Sequence, residues 1–169
     1  YIMTEEPLPI GVDDDQDRVN VRIEIDKGSD PAQRDTDGDG VIDGLEIYGL
    51  GSNPTVRDTD GDGVIDGIED ENRNGRIDPE DTDPTEIDTD RDGLCDGYCV
   101  VKQGGRVGYT APVGFVQEDS AKQIRGEDKN LNGIVDDGET DPRKVDTDGD
   151  GINDEQEYFA CVLAGGSDC

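Results

Sequence analysis

A pattern of twelve residues, D-x-[DN]-x-[DN]-G-x-x-D-x-x-[DE], starts at Asp35, Asp58, Asp70, Asp88, Asp128 and Asp146. No other feature limits the folding of this chain so strongly. Acidic groups at positions 1, 3, 5, 9 and 12 repel one another unless a cation sits among them, and glycine at position 6 supplies the sharp turn that gathers them. The copies are in register. DTDGDGVIDG occurs letter for letter at 35–44 and again 23 residues later at 58–67. Asp70–Gly93 also matches Asp128–Gly151 at an offset of 58. An acidic surface or a disordered acidic linker would scatter its carboxylates without phase. Here 25 of 30 side-chain ligand positions are Asp or Glu, four are Asn, and the exception is Cys99.

Ca²⁺ takes six to eight oxygens, from short acidic or amide side chains, a backbone carbonyl at position 7 and a closing carboxylate at position 12. In the first loop the expected ligands are Asp35, Asp37, Asp39, Asp43 and Glu46 with the carbonyl of Val41. The second has Asp58, Asp60, Asp62, Asp66 and Glu69 with Val64, and the third Asp70, Asn72, Asn74, Asp78 and Asp81 with Arg76. The fourth has Asp88, Asp90, Asp92 and Asp96 with Leu94, its position 12 being Cys99. This site is expected to be the weakest or to be completed by a neighbouring group. The fifth has Asp128, Asn130, Asn132, Asp136 and Glu139 with Ile134, and the sixth Asp146, Asp148, Asp150, Asp154 and Glu157 with Ile152. Position 8 is apolar in Ile42, Ile65, Ile77 and Val135 and is expected to pack beneath each ion as a small core. About six or more calcium ions are the cofactor this spacing calls for.

Composition makes the same demand. Lys and Arg number 15 against 45 Asp and Glu, a net charge of -30, which repels nucleic acid and anionic membrane surfaces. Leu, Ile, Val and Phe supply only 35 residues, too few for an ordinary core of this length. No apolar run is long enough to span a bilayer. His is absent, and no Ser or Cys stands beside a base, so no catalytic constellation is visible and the chain reads as a non-enzyme. It begins at Tyr1 without a signal-peptide pattern, as expected of a mature or excised piece.

Helix–loop–helix pairs need an amphipathic helix on each side of the loop. Asp30-Pro31 precedes the first loop, and Gly49, Gly51 and Pro54 follow it, which leaves room for one helical turn at best. The second and third loops are contiguous at Glu69-Asp70. A groove-opening calcium switch is disfavoured, since Met3 is the only methionine. Asp30, Asn53, Asp83 and Asp141 each stand five residues before a loop and precede a proline. Each reads either as an extra ligand or as a turn brace.

With DTDGDGVIDGLE, DTDGDGVIDGIE and DTDGDGINDEQE joined by DP turns, the chain resembles thrombospondin type-3 calcium repeats over Gly28–Tyr98 and Asp128–Tyr158. The resemblance implies little regular secondary structure: an array of calcium-binding EF-hand-like loops with short helical turns and a few short β-strands, sometimes with two ions per unit. Animal versions carry a cysteine in nearly every repeat. This chain does not, so the likeness is to the bacterial and archaeal extracellular type. Dockerins share the loop but follow it with a longer helix.

Four segments are expected. Residues 1–27 are an extended N-terminal piece, with Asp13-Asp14-Asp15 flexible and Val19, Val21, Ile23 and Ile25 alternating as a strand, either packed on its own module or pairing with a neighbouring subunit. Residues 28–99 hold four loops, 100–127 form a β-hairpin-like insertion turning at Gly104-Gly105 with a short helical piece near 118–124, and 128–169 hold two loops and a cysteine-containing end. Cys95, Cys99, Cys161 and Cys169 are even in number and suit two disulfides in an oxidising compartment better than zinc. Local Cys95–Cys99 and Cys161–Cys169 bridges are favoured, with bridges between the two pairs as the alternative. The function expected is an extracellular, calcium-rigidified structural module, a spacer or a subunit of a surface assembly or filament. The alternatives are an adhesion module that meets a protein partner through 1–27 or 100–127, or an accessory region of a secreted enzyme.

Overall fold

Long helices and wide sheets need long runs of uninterrupted polymer, and glycine or proline breaks this chain every few residues. The computed structural model describes residues 11–102, 106–107 and 122–164. Little regular secondary structure is present among them. Helix α1 is Val21–Lys27, α2 is Asp43–Leu45 continued by a π-helical turn Glu46–Leu50, α3 is Asp66–Glu69 and α4 is Asp154–Leu163. None is long and apolar enough to cross a membrane. Strands β1 (Tyr98–Lys102), β2 (Arg106–Val107) and β3 (Lys122–Arg125) form one antiparallel sheet in the order β2-β1-β3. Val101 pairs with Val107, and Tyr98 pairs with Arg125.

Four expectations need correction. The strand over 19–25 is helix α1. Its alternation is overridden because Asn20 caps a helix, its side chain accepting from the Ile23 amide, and Gly28 ends it at φ 90°. The residues that α1 buries, Val21 and Glu24, are spaced i, i+3, while Ile25 is exposed. No strand edge is therefore offered there to a neighbour. Exit helices also exceed one turn: the first loop runs into helix as far as Leu50, and the last into the ten residues of α4. Residues 122–124, expected to be helical, lie in β3; 118–121 lie outside the described residues. Finally, the small core forms at position 7 rather than position 8. Val41, Val64 and Leu94 are buried, whereas Ile42 and Ile65 are only half-buried and Ile77 and Val135 are exposed. Cys95, at position 8 of the fourth loop, is buried.

Stacking of one loop on the next explains the buried position. A Cβ on Gly44 would meet the Asp17 carbonyl and the side chain of Val19, and one on Gly67 would meet the Asp39 carbonyl. At Gly97 it would lie 2.6 Å from the Asp62 carbonyl and 2.9 Å from Val64. Glycine at position 10 of the first, second and fourth loops thus lets each press its backbone onto position 5 of the loop before, with that loop's position-7 side chain closed in beside the contact. The same contact is hydrogen-bonded. The Gly67 amide donates to Asp39 Oδ2 (3.1 Å), the Gly97 amide to Asp62 Oδ2 (2.6 Å) and the Glu155 amide to Asp92 Oδ2 (2.9 Å). The loops starting at 35, 58, 88 and 146 therefore form a spine. The loops starting at 70 and 128 hang beside it, and their position-7 residues, Arg76 and Ile134, are exposed, as is Ile152 of the last spine loop.

The interior is mostly acid. Among the described residues, seven buried hydrophobic side chains stand against sixteen buried Asp and Glu. An interior of this kind is not held by apolar transfer, which contributes only about 25 cal/mol per Å² of apolar surface.

Candidate metal centres

Each spine loop is shaped by its own first aspartate. Asp35 accepts from the amides of Gly38 (2.7 Å) and Gly40 (3.1 Å), and Asp58 accepts likewise from Gly61 and Gly63. Position 3 accepts from the amide of position 5, and position 5 from that of position 7, as in Asp37–Asp39 and Asp39–Val41. Position 1 thus uses both oxygens on amides of its own loop, whereas position 3 is bonded through one oxygen only and keeps the other buried and partnerless, as Asp37 Oδ2 and Asp60 Oδ2 do. As a result one oxygen each from Asp35, Asp37 and Asp39 falls within 4.8 Å of the others, and Asp58, Asp60 and Asp62 gather in the same way.

The two expected roles of positions 9 and 12 are redistributed. Asp43 accepts from both the amide and the hydroxyl of Thr36, and Asp66, Asp96 and Asp154 accept the same pair from Thr59, Thr89 and Thr147. So held, position 9 faces the preceding loop: Asp66 joins Asp39 and Glu46 in one buried group of possible ligands. Position 12 is shared between its own loop and this junction. The Asp-Pro and Asn-Pro turns resolve as braces. The Asp30 amide donates to the Thr36 hydroxyl at 2.8 Å, and its carboxylate accepts from the Ala32 amide and Gln33. Asn53, Asp83 and Asp141 repeat that bond to Thr59, Thr89 and Thr147.

The side loops are arranged differently. Asn72 and Asn74 both donate to Asp78 Oδ2, and Asn130 and Asn132 both donate to Asp136 Oδ2. Asp81 and Glu139 accept from the backbone amides of positions 2 and 9. Hydrogen bonds thus close these two loops, whereas the spine loops leave oxygens open.

Sequence spacing passes over a further loop at the N-terminus. Asp13 accepts from the amides of Gln16 (2.6 Å) and Arg18 (3.1 Å), Asp15 from Asp17 and Asp17 from Val19. Asp13, Asp15 and Asp17 form one group of possible ligands, and Asp17, Glu24 and Asp43 another. The segment expected to be flexible is therefore a loop of the same build. Arg18 stands where the pattern has glycine, and Val21 where it has aspartate. The remaining signal was D-x-D-x-D with Glu24 at position 12. Arg18 has φ 85° and Gln16 has φ 67°, in the left-handed region. Because that region costs a non-glycine residue about 1 kcal/mol or more, R18G is expected to stabilise the folded protein by about 0.5–1 kcal/mol, read from denaturant unfolding.

Burial and mutual repulsion leave the carboxylates strongly perturbed. Burial first, then the neighbouring Asp39 and Asp37, pushes Glu46 up to about 9. Burial raises Asp60 to about 8 and Glu24 to about 7, with adjacent acids adding to it, and drives Glu69 well above its ordinary value. Thirteen buried side-chain oxygens among the described residues have no hydrogen-bond partner, and twelve are carboxylate oxygens, of Asp15, Asp17, Glu24, Asp37, Glu46, Asp60, Glu69, Asp88, Asp90 and Glu127. Cys95 and Cys161 are both disulfide-bonded. The expected pairings with Cys99 and Cys169 fall on side chains outside the described ones.

No protein-family model, curated protein or solved structure matches this chain.

Proposed function

We propose that this chain is a calcium-binding structural module whose loops are EF-hand-like and stack in the manner of thrombospondin type-3 repeats. The observation that carries the reading is the set of twelve buried, partnerless carboxylate oxygens. A buried polar atom without a partner costs about 1–3 kcal/mol, and a charged one more. Oxygen-only ligands in a flexible, crowded set suit Ca²⁺ better than Mg²⁺, which demands a smaller octahedral shell and retains water. Seven filled loops, the two side loops exchanging their Asn–Asp hydrogen bonds for an ion, would take the net charge from -30 to about -16. Affinities of about 10⁻⁴–10⁻³ M, typical of extracellular modules, would keep the sites filled outside a cell. Its work there is mechanical, as a rigid spacer or a subunit of a surface assembly, and it is not an enzyme.

Calcium counting tests this. Native mass spectrometry and calorimetry are expected to show at least six ions, with magnesium competing weakly. Equal preference for the two metals, or fewer than three calcium ions at millimolar concentration, would refute it. Binding below micromolar would point to a sensor instead.

A further inference from the structure

The fourth loop departs from its neighbours in one place. Cys99, at position 12 by spacing, belongs to strand β1 and cannot supply the closing carboxylate. At the corresponding point of the second loop, the Glu69 amide donates to the Ile65 carbonyl (3.1 Å) and the Asp70 amide to the Asp66 carbonyl (2.9 Å). In the fourth loop the same two bonds are made by residues much further along the chain: Glu127 donates to the Cys95 carbonyl (2.9 Å) and Asp128 to the Asp96 carbonyl (2.8 Å). Cys95 and Asp96 hold positions 8 and 9, as Ile65 and Asp66 do. By backbone hydrogen bonding, then, Glu127 is position 12, and residues 98–126 stand where the second loop has the single residue Ile68.

The side chain agrees with the backbone. Glu127 is 1% exposed, and neither of its carboxylate oxygens has a hydrogen-bond partner. The Thr140 hydroxyl approaches it without completing a bond, and the charges it faces are Asp90, Asp92 and Asp96. Asp88 and Asp90 each turn one buried, partnerless oxygen into the same loop. Gly126 permits the return: a Cβ there would collide with the carbonyls of Gly97 and Cys95. The start and end of the excursion are paired as β1 and β3, with Tyr98 opposite Arg125.

We propose that Glu127 is the closing ligand of the fourth loop, so that one bound Ca²⁺ ties together both ends of the 98–126 excursion. The proposal rests on the calcium reading above. It makes the excursion an insertion within a metal site rather than a segment between two sites. Filling this site fixes the base of the sheet, and emptying it releases both strands together.

The test compares the full-length chain with E127Q and E127D in calcium, by native mass spectrometry and hydrogen exchange. E127Q is expected to carry one calcium ion fewer than the wild type, and the amides of Tyr98–Lys102 and Lys122–Arg125 to lose protection. E127D is expected to retain the ion more weakly. An unchanged ion count in E127Q overturns the proposal, while a wild type that binds no calcium overturns the calcium reading itself. If E127Q fails to fold, calcium anomalous scattering from wild-type crystals decides. An ion within about 2.3–2.6 Å of a Glu127 oxygen supports the assignment, and an ion in the fourth loop without that contact refutes it.

Discussion

Removing calcium with excess EDTA near neutral pH is expected to abolish the ordered fold. Sixteen buried carboxylates among the described residues would face one another with no cation between them, and seven buried hydrophobic residues do not offset that repulsion together with the chain entropy of ordering, about 1–2 kcal/mol per residue. Metal-binding free energy is then folding free energy, as in other small metal-dependent domains. Solution scattering should show the radius of gyration growing toward the ~40 Å of an unfolded chain of this length. Circular dichroism should lose the small helical signal of α1 and α4 at the same time. Calcium added back should restore both, because nothing but the counter-charge was withdrawn. A metal-free protein that keeps its compact dimensions and its spectrum would show that the acidic interior is stable without a cation, and the proposed function would fall.

The loop pattern was legible because each ligand position serves one local purpose. Asp at position 1 must reach two amides, glycine at position 6 must turn, and both requirements act within twelve residues. What the sequence hid was set by contacts between loops. Val41 and Val64 are buried because the next loop presses on them, which no single repeat reveals. The alternation Val19, Val21, Ile23, Ile25 suggested a strand because half its apolar positions are also consistent with a helix that leaves a loop, and Arg18 concealed that loop. Glu127 lay one residue outside the stretch matched at an offset of 58, since Glu69 and Glu127 also differ by 58. The match extends backward from Asp70 and Asp128 by that one pair only, because Ile68 and Gly126 already differ and residues 98–126 separate Glu127 from the loop it closes.

Protons should compete with calcium, and the direction follows from the buried carboxylates. In the metal-free protein burial, followed by the charges of Asp90 and Asp92, raises Glu127 to about 10, and burial with nearby acids raises Glu46 to about 9. Burial also raises Asp96 to about 8 and Asp39 to about 6. Ordinary carboxylates of the unfolded chain titrate near 4.5 or below. Between these values the folded state holds more protons than the unfolded one, so the stability from these groups is complete below about pH 4 and is lost as pH rises through about 6 to 10. The metal-free protein is therefore expected to be more ordered at about pH 5 than at about pH 8, with protons standing in for the cation. At about pH 5, where the ordered metal-free protein holds those protons, calcium must displace them, so its binding there should release protons and its affinity should rise with pH. Calorimetry in buffers of different ionisation enthalpy measures that release. Proton uptake on calcium binding, or a metal-free protein better ordered at about pH 8, would mean that the perturbed carboxylates are not the ligands. The sign matters because the two plausible glues behave oppositely: an apolar core would be indifferent to this titration, whereas a cation-filled interior cannot be.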